Sequence, residues 1–149
     1  MEKKPSDNIQ ARYIKYAGNF LITAGIISFI FASIQYNVAS QEKNHLETYY
    51  VKSGDTRDPS VVDNLQRKIA TFEGFIPITL AYAAIFFILG YLLLGRKGSY
   101  KALQMLLVVI ALSLVALALN VGYLIDLSLI ALAGISMLAF CLLYKVGKM

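Results

Sequence analysis

The sequence predicts an all-α polytopic membrane protein, a four-transmembrane-helix bundle with an amphipathic stem helix before the second span. Three observations lead there. Of 149 residues, 58% are hydrophobic and 15% charged, whereas soluble domains average about 45–50% and about 25%. The apolar residues gather into four long runs, at about 13–36, 72–94, 102–119 and 123–144. The charges lie almost wholly between those runs. One membrane domain over 1–149, with a polar loop at 37–71, accounts for the length.

The first run has a charge-free heart from Ala17 to Ile34, enough to cross roughly 30 Å of hydrocarbon. It is longer than a secretory signal core, and no small-x-small cleavage site follows it, so it reads as a retained helix. Gly18, Gly25 and Ala32 recur every seven residues, and Ala24, Ser28 and Ala32 every four. Small residues on one face let helix backbones approach closely where lipid supplies no hydrophobic drive. The spacing marks a packing seam and leaves open whether its partner is internal or another subunit. Asn19, Thr23 and Gln35 are candidates for interhelical hydrogen bonds.

The segment 37–71 is polar and mixed in charge, with a strong turn signal at SGDTRDP from Ser53 to Pro59. Asp58-Pro59 or Ser60 can cap a helix there, with Asp63 favourable in its first turn. Val61, Leu65, Ile69 and Phe72 then recur at helical spacing. That pattern predicts a stem lying on the membrane surface and feeding the second span. Pro77 falls near the start of that span, where a missing amide costs least.

The third run is dominated by Leu, Val, Ile and Ala, and Asn120 and Gly122 can end it because both tolerate a left-handed C-cap. Asn120-Val121-Gly122-Tyr123 directly follows a spanning helix, which makes it a helix–helix turn rather than a potassium filter. The fourth run ends at Lys145 and Lys148.

Loop charge predicts orientation. Lys3, Lys4, Arg12 and Lys15, then Arg96, Lys97 and Lys101, then Lys145 and Lys148 fall on one side. Five basic residues remain for the other side, so both termini are expected in the cytoplasm. The formal charge of +5 is spread over span ends, which fits phospholipid headgroups. No clustered basic face suggests nucleic acid. Tyr13, Tyr16, Tyr36, Tyr91, Tyr100, Tyr123 and Tyr144 form the aromatic belt expected at headgroup level.

Chemistry-bearing groups are sparse. No span carries an ionisable residue near its centre, where an ion-coupled transporter would keep one. Glu73 and Asp126 sit at span ends and could form a carboxylate ring at a pore mouth in an oligomer. Tyr82 lies well inside the second span, so its hydroxyl needs a partner. Cys141 excludes an intrachain disulfide and reads as a small buried hydrophobe. His45 has only Glu42 and Glu47 near it, and no metal or other cofactor is expected.

The stretch SGDTRDPSVVDNLQRKIATFEGFIPITLAYA, Ser53 to Ala83, resembles the first loop and second helix of MAPEG proteins, four-span membrane proteins of eicosanoid and glutathione metabolism. Their second helix opens with Arg-Ala-x-x-Asn-x-x-Glu before a proline. Glu73 and Pro77 match, Arg67 lies near the arginine position but out of register, and Ala70 replaces the asparagine. The resemblance implies a trimeric glutathione-dependent transferase with a cytosolic first loop and a ligand at Arg67 and Glu73.

Three readings of function therefore stand. The preferred one is a noncatalytic subunit or homo-oligomeric component of a membrane assembly, docking by helix packing against a membrane-protein partner or copies of itself. The alternatives are the MAPEG-like transferase and an oligomeric pore or small-solute transporter. The lack of a complete catalytic motif leans away from an enzyme.

Overall fold

A computed structural model describes residues 5–95, 99–121 and 125–148. Four long helices account for nearly all of it: α1 (Pro5–Ser53), α2 (Pro59–Leu94), α3 (Tyr100–Val121) and α4 (Ile125–Lys148). All four are long and apolar enough to cross a membrane, so the chain is a multi-pass, all-α membrane protein.

The largest difference from the sequence reading lies in 37–71. Residues 37–53 are helical rather than a loop, and the connection is confined to 54–58 before the expected stem helix. α1 runs on through Ser53, and α2 starts at Pro59, thirteen residues before the expected second span. The reason is a repeating inner face that hydropathy averages conceal. Along α1, Gln35 and Ala39 are buried and Glu42, Leu46 and Tyr49 half-buried. Along α2, Leu65 is half-buried, and Ile69, Phe72 and Thr79 are buried. Alternating steps of three and four residues keep such positions on one stripe, the spacing of a coiled-coil seam. The stem does not offer its apolar face to lipid. That face packs within a helical hairpin, and Val61, expected on it, is turned outward at 37% exposure while Val62 is half-buried.

The turn between α1 and α2 follows the sequence signal. A short 3-10 segment covers Gly54–Thr56, and Gly54 has φ of +50°, where an L side chain is strained. Asp58 caps α2 as expected. Its Oδ1 accepts from the Ser60 amide at 2.9 Å and the Ser60 hydroxyl at 2.7 Å, and Pro59 occupies the first helical position, where no donor is needed. Tyr49 Oη accepts from the Asp58 amide at 2.7 Å, and the Arg57 guanidinium stands 4.6 Å from the Tyr50 ring centre. α2 passes Pro77 without a break.

The chain divides into two compact units. A four-helix unit holds the chain up to Ser28 and from Tyr82 onward, so it draws on all four helices. A hairpin unit holds Phe29–Ala81, the second part of α1 and the first part of α2. Within the four-helix unit the core is Ala17, Leu21, Phe86, Leu93, Leu107, Leu114, Leu129, Leu132 and Leu143, all essentially inaccessible. Gln104 of α3 donates from Nε2 to the Leu143 carbonyl of α4 at 2.8 Å.

Two smaller expectations change. Cys141 is exposed on the outer side of α4 rather than buried. Thr23 bonds the Asn19 carbonyl of its own helix at 2.9 Å instead of reaching a neighbour. Lys3, Lys4, Arg96, Lys97, Gly122 and Tyr123 lie outside the described residues.

Candidate functional site

The small-residue seam is used inside the chain. Gly18 and Gly25 face α2 within the four-helix unit. A Cβ on Gly18 would lie 2.8 Å from Leu94 Cγ and 3.3 Å from the Gly90 carbonyl oxygen, and one on Gly25 would lie 3.1 Å from the Phe87 ring. Gly90 is the counterpart that the sequence reading missed. Its Cβ would stand 2.8 Å from Ile22 and 3.0 Å from the Gly18 carbonyl oxygen. The two glycines thus let two helix backbones nearly touch, the close approach that small residues permit. Ala24, Ser28 and Ala32 are buried as well, and Ser28 donates to the Ala24 carbonyl at 2.9 Å. A glycine near the end of the second run was the available signal for Gly90.

Tyr82 is half-buried in the four-helix unit, and its hydroxyl finds the partner it needs. Tyr82 Oη lies 2.7 Å from Ser113 Oγ of α3. Ser113 gives its only proton to the Ile110 carbonyl at 2.8 Å, so the phenol is the donor. Asp126 belongs to the first turn of α4, and its Oδ1 accepts from the Leu127 amide at 2.8 Å. A carboxylate at that position suits the positive end of the helix dipole.

Arg67 and Glu73 belong to the hairpin unit, and each is occupied locally. Arg67 pairs with Asp63 at 3.0 Å, one turn earlier on the same helix and largely in solvent. Glu73 forms an ion pair with Lys43 of α1. Lys68 donates to Glu42 at 2.6 Å, and the Glu42 side chain is only 13% exposed. Lys68 holds the Glu42 carboxyl below the usual glutamate range, chiefly through that hydrogen bond and also through its charge. Deeper in the hairpin, Thr79 Oγ1 lies 3.1 Å from Gln35 Oε1 and 2.8 Å from the Phe75 carbonyl, its one proton shared between them. Gln35 and Thr79 are 3% and 1% exposed, so this polar pair is buried. Of the three polar residues expected to bridge helices, Gln35 does so.

The hairpin is thereby zipped by three polar contacts between its arms, at Gln35–Thr79, Lys43–Glu73 and Glu42–Lys68. Gln35 was expected to bridge helices, whereas the two ion pairs need residues 37–53, expected as loop, to be helical. Near the turn, Asp58 is also held below the ordinary aspartate range, first by the Ser60 hydroxyl and then by the Ser60 amide. His45 stands 3.7 Å from Glu42 and is otherwise solvent-facing. Among the described residues no three His, Cys, Asp or Glu side chains gather as a metal site.

The charges of the four-helix unit are strongly sorted. One cleft brings the start of α1 against the end of α2, and a second brings it against the start of α3 and the end of α4. The starts of α1 and α3 and the ends of α2 and α4 therefore share one end of this unit. That end carries Arg12, Lys15, Lys101, Lys145 and Lys148, with Asp7 as the acid among the described residues. The Lys145 ammonium stands 5.8 Å from the Tyr13 ring centre, and that of Lys148 4.6 Å from the Tyr144 ring centre. Among the described residues, the ends of α3 and α4 away from it carry Asn120 and Asp126 and no cation.

No protein family, curated protein or solved structure matches this chain.

Proposed function

We propose that the chain is a noncatalytic subunit of a membrane assembly, one that docks on partner proteins or further copies through the outer surface of its helical hairpin. Helix length is the observation that carries this reading. At 1.5 Å per residue, α3 and α4 extend about 33 and 36 Å, close to the roughly 30 Å of hydrocarbon they would cross. α1 and α2 extend about 74 and 54 Å, far beyond that need. The surplus is the polar part of the hairpin, about 37–71, whose charges belong in water.

The basic end of the four-helix unit supports an orientation. Positive residues concentrate on the cytoplasmic side of membrane proteins, so the proposal carries both termini in the cytoplasm. Ion pairs occupy the charges between the arms. Asn44, Glu47 and Val51 remain exposed on the outer surface, Val51 at 85%. These residues are available to a partner.

The test is site-specific photo-crosslinking in cells, with a photoreactive residue at position 44, 47 or 51 and controls at the exposed apolar positions 109 and 138. The reading expects a discrete protein adduct from the hairpin positions. Adducts at 109 and 138 alone, or none from any hairpin position, would overturn it. Glutathione affinity in detergent, lost on Arg67→Ala, would instead favour the transferase.

A further inference from the structure

We infer that the cleft between the start of α1 and the end of α2 is a seat for the phosphate-bearing head group of an anionic phospholipid. The cleft belongs to the four-helix unit and has a volume of about 380 Å³, within the roughly 300–1,000 Å³ of small-molecule sites. Asn8, Arg12 and Lys15 supply its polar wall, and Ile14, Leu93 and Leu94 its apolar one. Asn8, Arg12 and Lys15 follow one another at helical spacing, so an amide and two cations line a single face of α1.

Three observations converge on a lipid. First, both cations are exposed, and no carboxylate among the described residues pairs with either. This sets them apart from the cations of the hairpin zipper and from Lys145 and Lys148, which lie over tyrosine rings. Asp7 faces the neighbouring cleft, with Gln10, Tyr100 and Val146. Second, guanidinium and ammonium groups together suit a phosphodiester, the one as a planar fork and the other as a point charge. Third, the apolar wall runs on toward the hydrocarbon. Leu94 is 44% exposed, and Tyr91 and Phe87, one and two turns back on the same face of α2, are 65% and 37% exposed. An acyl chain can follow that line, whereas free phosphate would use only the polar wall. The inference is independent of the hairpin's role in docking.

The test is native mass spectrometry of the delipidated full chain in detergent, titrated with phosphatidylglycerol or with zwitterionic phosphatidylcholine. One molecule of phosphatidylglycerol should bind in preference to phosphatidylcholine. Arg12→Gln with Lys15→Gln should weaken it by about fivefold per cation, roughly 25-fold for the pair. Lys101→Gln, at the same end but outside the cleft, should leave it nearly unchanged. Both changes fall on exposed helical positions, and unchanged helicity confirms the fold. An equal loss with Lys101→Gln would mean diffuse attraction and overturn the site. Displacement by millimolar glycerol phosphate, or equal binding of phosphatidylcholine, would overturn the lipid.

Discussion

Each of the two units of this chain is held together internally, and the chemistries are opposite. In the four-helix unit the helices meet through what is missing, since Gly18 and Gly90 have no side chains and the backbones close the gap. In the hairpin unit the arms meet through what is present, with Glu42 on Lys68, Lys43 on Glu73 and Gln35 on Thr79. Under the proposed function, which sets residues 37–71 in water, the difference between the small-residue seam and the two ion pairs follows from the solvent. Lipid gives no drive to bury an apolar side chain, so packing density decides. In water a seam of small and medium side chains gains from burial, and charge pairs flanking it specify the partner and register.

α2 takes part in both units, and its glycines give the sharpest way to break the comparison. Gly90→Leu should cost about 3 kcal/mol or prevent folding, because the new side chain meets the Gly18 backbone. Gly74→Ala, with nothing within 4 Å of the new Cβ, should instead stabilise by about 0.5–1 kcal/mol through helix propensity. Thermal unfolding in one detergent compares the two directly. Similar losses at both positions would erase the distinction between the units.

Next in size is the hairpin's zipper. Glu42→Gln should cost about 1 kcal/mol, since it loosens a largely covered charge pair whose lysine is still one-third exposed. Because the folded carboxyl titrates below its ordinary value of 4.5, its contribution is present above that pH. It is lost as pH falls through the lowered folded value. Unfolding midpoints at pH 7, 4.5 and 3 should show the wild-type advantage over Glu42→Gln shrinking with acid. A constant gap would contradict the pairing. The exchanged pair Glu42→Lys with Lys68→Glu should recover most of the loss at pH 7.

The four-helix unit has its own polar link, and it should be worth less. Tyr82→Phe is expected to cost about 0.6 kcal/mol, the average for a hydrogen bond between membrane helices. Ser113→Ala should add little on top of it, as a double-mutant cycle would show. Arg67→Gln is the smallest change, within about 0.5 kcal/mol, because its pair with Asp63 is solvent-exposed and lies on one helix.

How far these features were legible in the sequence depended on the range of the signal. The four spans, the SGDTRDP turn, the Asp58 cap and the need of Tyr82 for a partner all rest on local chemistry, and each was readable. The packing seam at Gly18, Ala24, Gly25, Ser28 and Ala32 was visible as spacing, while its partner was not, because Gly90 lies far along the chain. The hairpin was hidden for a related reason. Glu42 and Lys43 look like loop charge, and Lys68 and Glu73 like charges of a stem and a span end, until two helices bring them together. Val61 was placed on the wrong side of the stem because the seam steps by three and four residues, and Val62 suits it better.

The proposal's central claim is one of sidedness: Glu47 outside the cytoplasm and Lys101 within it. Side-specific thiol labelling tests it most directly, on a Cys141→Ser background with a single cysteine replacing either Glu47 or Lys101. In intact cells an impermeant maleimide should modify position 47 readily and position 101 only after permeabilisation. Modification of both from the same side, or protection of position 47 under both conditions, would contradict the account.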